Sequence, residues 1–167
     1  FTSFQNGQID KATDYLREVL AVSPNHPQTL LLLSNIFYTE SKFIQAEELI
    51  ERFLGTYPGH IPALKLFAAI KIQLKKGQEA IERLSQAVKQ VSNDAQLIAL
   101  LGSAHMSAGN IVEANQLLEK AAEMNPDAAS FRAQVALSHL AAGDNAKAMS
   151  ELENAVELDS NLLQAEV

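Results

Sequence analysis

Residues 114–126 have the sequence ANQLLEKAAEMNP, and this stretch decides the fold. Ala114, Leu118 and Ala121 are separated by four and then three residues, a spacing that places them on one face of an α-helix. Pro126 cannot continue a helix, so the predicted helix ends before it. Because its leading apolar residue is small, a second helix can approach closely. The stretch predicts a helix that packs against another helix and then stops.

The same pattern recurs along the whole chain at steps of 34 residues, without a gap. The alanine register contains Ala12, Ala46, Ala80, Ala114 and Ala148. Four residues later the register contains Leu16, Ile50, Leu84, Leu118 and Leu152, and seven residues later Val19, Phe53, Ala87, Ala121 and Ala155. Twelve residues after the alanines come Pro24, Pro58, Ser92, Pro126 and Ser160. Such a fixed period indicates a repeated structural unit.

A second apolar-periodic segment precedes each of the last four alanines and predicts another helix. Its apolar face carries Leu30/Leu33/Phe37, Leu64/Phe67/Lys71, Ile98/Leu101/His105 and Arg132/Val135/His139. The residue after the middle member is always small: Ser34, Ala68, Gly102 and Ala136. A turn between the two helices is predicted at Gly7, Ser41, Gly109 and Gly143. The unit is therefore a pair of helices.

This pattern resembles the tetratricopeptide repeat family, whose unit is a 34-residue helix-turn-helix. The resemblance implies an all-α, right-handed α-solenoid of tandem repeats over residues 1–167. We expect a partial repeat at 1–26, whose second helix covers about 10–22, full repeats at 27–60, 61–94, 95–128 and 129–162, and a stub at 163–167. The chain does not begin with Met, so we interpret it as a fragment or processed form of a longer protein.

Repeat 61–94 departs from the pattern. Its glycine is Gly77, two positions later than in the other repeats, and Lys71 replaces the aromatic residue that packs at the eleventh position. We expect an adjusted turn and irregular curvature around Lys75–Gly77. We also expect the Lys71 side chain to extend to solvent.

In the family, the second, fifth, ninth and twelfth positions of each first helix line a concave surface. The resemblance therefore implies a peptide-binding groove lined by Gln28, Leu31, Asn35, Tyr38, Lys65, Ala69, Ile72, Gln96, Ala99, Ser103, Met106, Leu137 and Leu140, with Pro62, Ser130 and Ala133 beside them. This lining is apolar and lightly polar, so it suits an amphipathic helix or an extended apolar peptide. The alternative is that these residues only pack against the next turn of the superhelix or a missing flank.

One known mode of recognition is disfavoured. Family members that capture a peptide's terminal carboxylate place Lys and Asn at the fifth and ninth positions. Here Leu31/Asn35 and Lys65/Ala69 each provide half of such a pair, and Ala99/Ser103 provides neither residue.

Composition limits the partners and the compartment. The net charge is −7, and it belongs to residues 95–167, which contain three basic and ten acidic residues. Nucleic-acid binding needs basic patches, so we predict no nucleic-acid partner. No apolar run approaches the ~20 residues of a membrane span. The chain has no cysteine, which excludes disulfides and cysteine-ligated zinc.

No catalytic motif is present, so we predict no enzymatic activity, no catalytic residue, no cofactor and no bound metal. Carboxylate pairs such as Glu47/Glu48 and Glu151/Glu153 are interpreted as solvated surface. His105 and His139 occupy the same position of adjacent repeats. A weak metal site there is the alternative to two packing residues with local partners. His26 and His60 are interpreted as surface residues of turns.

The predicted function is a protein-interaction scaffold. Two alternatives stay open: a structural spacer in a longer solenoid, and a regulatory domain attached to an enzyme outside the fragment. Segments such as Leu118–Ala122 and Asn125–Ala129 resemble the long bacterial tetratricopeptide proteins of exosortase/PEP-CTERM, exopolysaccharide-linked systems. That likeness favours the periplasm or cell envelope over the cytoplasm. Uncapped ends carrying Ile9, Leu16, Val19 and Leu158 also predict pairing with another copy, such as a homodimer.

Overall fold

The computed structural model describes residues 2–165, and the side chains of residues 9–159. All regular structure in this part of the chain is helical. The helices are α1 Thr2–Val22, α2 Pro27–Thr39, α3 Phe43–Thr56, α4 Ile61–Gln73, α5 Gly77–Gln90, α6 Ala95–Ser107, α7 Ile111–Met124, α8 Ala129–Ala141 and α9 Asn145–Ala165. The predicted all-α tetratricopeptide-type solenoid is confirmed. No helix within the described residues is long and apolar enough to cross a membrane.

The small residues of the repeat lie where helices approach most closely. Ala46, Ala80, Ala114 and Ala148 are all fully buried, as the pattern predicts. In repeat 27–60 the hydroxyl of Ser34 donates a buried hydrogen bond of 2.9 Å to the carbonyl oxygen of Ala46. A larger side chain at either position would separate the two helices. Ala12 is the exception, since it lies exposed on α1.

The chain divides into two compact units, residues 1–74 and 75–167. In the first unit, α2 packs between α1 and α3, and α4 packs on α3. Its core is built from side chains of α2, α3 and α4, including Leu30, Leu33, Ile50, Phe53, Leu64 and Phe67. In the second unit, α5 to α9 pack in chain order. Its core includes Leu84, Ile98, Leu118, Ala121 and Val135.

Two histidines in the turns between repeats cap the helices that follow them. Nδ1 of His26 accepts the backbone N–H of Thr29 at 3.4 Å, and Nδ1 of His60 accepts that of Ala63 at 3.2 Å. Each satisfies a backbone donor that the first turn of a helix leaves free. Asp94 caps α6 in the same way through Leu97. His26 and His60 thus lie in turns as predicted, but they are half-buried and cap helices, so they are not plain surface residues.

The turn of repeat 61–94 is regular, contrary to expectation. Lys75 has φ +58°, and Ser41, Gly109 and Gly143 have positive φ at the equivalent position. Lys75 thus accepts the left-handed conformation that glycine adopts without strain. Gly77 is not a displaced turn glycine, because it begins α5 and is buried against α6. A Cβ atom there would lie 2.8 Å from the backbone nitrogen of Ala108.

Lys71 does not reach solvent. Its side chain is buried, and its ammonium group pairs with the carboxylates of Glu47 and Glu51 on α3, the latter at 2.9 Å. Nζ also lies 5.0 Å from the centroid of the Phe67 ring. The lysine stem fills the aromatic slot, and the carboxylates offset the cost of burying its charge. Glu47 is accordingly part of this cluster and not solvated surface.

Both terminal helices are longer than the repeat pattern predicts. Helix α1 continues through Gly7, where a turn was expected, and α9 continues through Ser160, where the other repeats turn. Neither residue forbids a helix, since glycine costs only about 1 kcal/mol and serine less. The side chains of the 163–167 stub lie outside the described residues.

Candidate peptide-binding surfaces

In the first unit, the predicted groove residues lie on α2 and α4 and differ in accessibility. Gln28 and Asn35 are exposed, and Leu31, Tyr38, Lys65, Ala69 and Ile72 are half-buried. The Tyr38 ring packs at 5.7 Å from the Phe43 ring of the next helix, which holds it at the edge of this face. Pro62 is exposed one turn before Lys65. This face therefore offers a mixed polar and apolar surface.

Two polar groups of this face, those of Asn35 and Lys65, are already engaged within the chain. The amide of Asn35 donates to the carbonyl oxygen of Leu31 at 2.9 Å, one turn earlier in its own helix. Lys65 also has a partner within the chain. Capture of a carboxylate needs free donors at both positions. The geometry therefore also argues against a carboxylate clamp on this face.

In the second unit, the predicted residues of α6 and α8 form a more apolar face. The hydroxyl of Ser103 donates to the side-chain oxygen of Gln134 at 3.2 Å, which sets the register of the two helices. One turn further along both helices come Met106 and Leu137. Leu137 is 52% exposed and Leu140 is 46% exposed. We call Met106, Leu137 and Leu140 the α6–α8 apolar face.

Of the remaining predicted residues in this unit, Gln96 is exposed on α6, and Ser130 is exposed and Ala133 half-buried on α8. The prediction that Ala99 lines the groove is wrong, because Ala99 is buried in a core cluster with Phe131 and Val135 of α8. Its side chain is covered by the following helix and cannot reach a ligand.

A groove between α8 and α9 was not predicted. It is an open depression of about 400 Å³ lined by Ala129, Ser130, Ala133, Leu152, Ala155, Val156 and Asp159. We call it the α8–α9 groove. Leu152 and Val156 are exposed in it, whereas their equivalents in the preceding repeat, Leu118 and Ala122, are buried.

The two histidines at the eleventh position have separate local partners. Nδ1 of His105 lies 3.4 Å from the side-chain nitrogen of Asn110. His139 is buried, and its Nε2 lies 3.4 Å from a carboxylate oxygen of Glu119. This arrangement fits the interpretation of two packing residues better than a shared ligand site.

Family models match both halves of the chain. A model described as anaphase-promoting complex, cyclosome, subunit 3 matches residues 5–87. A model described as tetratricopeptide repeat matches residues 99–162. A curated relative is interferon-induced protein with tetratricopeptide repeats 2 from Cricetulus griseus, 29% identical over 96 residues. That alignment covers 58% of this chain, and the chain spans only 20% of that relative.

Solved structures share the fold at low sequence identity. MamA 41-end from Desulfovibrio magneticus RS-1 superimposes with a TM-score of 0.80 at 20% identity, covering 95% of this chain and 89% of that one. YrrB, described as a tetratricopeptide protein with an unusual peptide-binding site, superimposes with a TM-score of 0.73 at 15% identity, covering 98% of this chain and 86% of that one. At these identities the similarity establishes the fold.

Proposed function

Because the chain is an all-α solenoid of tetratricopeptide repeats, we propose that it is a non-enzymatic scaffold that binds another protein through an apolar segment. The α6–α8 apolar face is the observation that carries this proposal. Leu137 and Leu140 are about half exposed on α8, and Met106 is half-buried on α6, one turn beyond the Ser103–Gln134 contact that joins the two helices. Large apolar side chains grouped on a rigid surface are typical of protein-binding sites.

The chemistry of this face defines the class of partner. Met106 offers a flexible apolar side chain that adapts to different shapes. Ser103 and Gln134 border it with a polar pair. We infer that the partner presents two or three apolar side chains on an amphipathic helix or extended strand. The surrounding residues 95–167 have seven more acidic than basic residues, so basic flanking residues on the partner would favour association.

The experiment is a selection from a displayed random-peptide library against the chain. We expect enriched peptides to carry apolar anchors and to lose at least about tenfold in affinity, or about 1.4 kcal/mol, for the Leu137→Glu/Leu140→Glu variant. Val112→Glu is the matched control, because Val112 is an exposed apolar residue on α7 of the same unit. Circular dichroism should show both variants folded.

Equal binding to all three proteins would contradict the proposal. A library that yields no specific peptide would favour the alternative of a structural spacer, whose surfaces are not used to capture a partner. The alternative of a regulatory domain would require a partner that is an enzyme.

The narrower sequence likeness supports a more specific context for the same scaffold. We propose that it serves a bacterial envelope system concerned with exopolysaccharide or protein export, in the periplasm or cell envelope. Cell fractionation tests this proposal, since recovery of the protein only in the cytosol would contradict it. Association of two copies is a separate proposal that uses other surfaces.

A further inference from the structure

The interface between α7 and α8 shows what fills a groove of this solenoid. Phe131 and Val135, one turn apart on α8, pack into a cluster made by the preceding repeat. That cluster consists of Ala95, Ile98, Ala99, Leu118, Ala121 and Ala122. An aromatic residue followed four positions later by valine is thus the pair that this groove accepts.

The equivalent groove of the next repeat is open. Moving each residue by 34 positions gives Ala129, Arg132, Ala133, Leu152, Ala155 and Val156. Leu118 is 1% exposed and its equivalent Leu152 is 38% exposed; Ala122 is 1% exposed and its equivalent Val156 is 68% exposed. The α8–α9 groove is therefore a continuation of the α7–α8 interface without the helix that covers it.

Helix α9 itself does not cover this groove. The second helices α3, α5 and α7 each have 14 residues and are followed by a turn. Helix α9 has 21 residues and continues to Ala165, seven residues beyond Leu158, the equivalent of Met124. Within the described residues, α9 therefore leaves the groove open, and a second copy can supply the occupant.

The chain carries a matching helix at its other end. Tyr15 and Val19 on α1 are an aromatic residue and a valine four positions apart, and they are 68% and 40% exposed. Leu16 and Leu20 are half-buried, so Tyr15 and Val19 belong to the more open side of α1. The pair repeats the chemistry of Phe131 and Val135.

The charge at one end of the groove is complementary to a charge on α1. Asp159 lines the end of the groove at which a helix oriented like α8 would begin. Lys11 lies one turn before Tyr15 and is exposed, so it would approach Asp159.

We propose that α1 of one copy docks in the α8–α9 groove of a second copy. The two surfaces are different, so the contact is heterologous, and a pair of copies retains one free α1 and one free groove. Copies therefore add head to tail unless a ring closes. This proposal uses neither Met106 nor the pair Leu137 and Leu140, and so it is independent of the proposed peptide site.

Sedimentation velocity over a concentration series tests the proposal with two variants of the full chain. Tyr15→Glu places a charge on the docking face of α1, and Val156→Lys places a charge in the groove. Both residues are exposed, so the variants should fold, which circular dichroism checks. We expect the parent to show a mass that rises with concentration and each variant alone to be monomeric.

The decisive step is to mix the two variants. Tyr15→Glu retains an intact groove and Val156→Lys retains an intact α1, so the mixture should form a one-to-one dimer and nothing larger. Ile44→Lys, at an exposed residue of α3, is the control and should associate like the parent. The proposal would be overturned by a monomeric parent or by a mixture that stays monomeric. It would also be overturned if Tyr15→Glu or Val156→Lys alone associated as strongly as the parent.

Discussion

Repeats 61–94 and 95–128 have the same helix starts but different chemistry at three equivalent positions. The eleventh position has Lys71 in one and His105 in the other, the turn has Lys75 and Gly109, and α5 begins with Gly77 where α7 begins with Ile111. The turn residue adopts the same conformation despite these changes, since Lys75 and Gly109 both have positive φ. Each unusual residue in repeat 61–94 is accommodated by its own contacts.

The comparison teaches that the repeat prescribes shape more strictly than chemistry. A slot that takes an aromatic residue at Phe37 takes a lysine at Lys71, because Glu47 and Glu51 lie within reach of its ammonium group. The cost of this solution is dependence on the carboxylates, since an unpaired buried charge is strongly destabilising. Removal of the Lys71 ammonium group should therefore lower the free energy of unfolding, because Glu47 and Glu51 lose their partner.

The largest expected effect is at Lys71. Lys71→Ala leaves a cavity and deprives Glu47 and Glu51 of their cation, and should lower the free energy of unfolding by about 2–4 kcal/mol. Lys71→Met also removes the cation but keeps most of the volume, so it should cost less than Lys71→Ala. Denaturant unfolding of both variants checks the order. An equal loss in both would mean that the ion pairs, and not the packing, carry the stability.

An intermediate effect is expected at Gly77. Gly77→Ala places a methyl group against the backbone of Ala104 and Ala108 and should cost about 1–3 kcal/mol through overpacking. Gly59→Ala is the matched control, because nothing lies within 4 Å of a Cβ atom there. Thermal unfolding should separate the two variants by several degrees. A Gly77→Ala protein as stable as the control would show that α5 and α6 are less closely packed than described.

The smallest effect is expected in the turn. Lys75→Gly relieves the left-handed strain but increases the entropy of the unfolded chain, so a gain of about 0.5 kcal/mol is expected. The reciprocal change Gly109→Lys introduces the strain and should lower stability by about 1 kcal/mol. The denaturation midpoints of the pair should move in opposite directions. Shifts of the same sign would contradict the equivalence of the two turns.

The fold could be predicted from sequence because its determinants are periodic. Ala46 and Ala114 recur in a fixed register, and residues four and seven later lie on the same helical face. In these two repeats all of these residues are buried. The caps at His26 and His60 were within reach too. Each stands immediately before a helix with proline in its first two positions.

The site was harder to predict, because accessibility depends on which helix covers a position. Ala99 has the right position for a groove residue but is covered by Phe131. Lys71 pairs with Glu47 and Glu51, which lie 24 and 20 residues earlier in the chain, and no local sequence pattern predicts this contact. The length of α9 could not be predicted from the sequence either. Pro126 ends the preceding second helix, but Ser160 at the equivalent position does not force a helix to end.

Mapping a selected peptide on the protein by nuclear magnetic resonance is the most direct test of the claim that the chain is a binding scaffold. We predict that titration shifts the signals of Met106, Leu137 and Leu140 first and most strongly, with saturation at one peptide per chain. Shifts confined to other helices, with these three residues unchanged, would contradict the account.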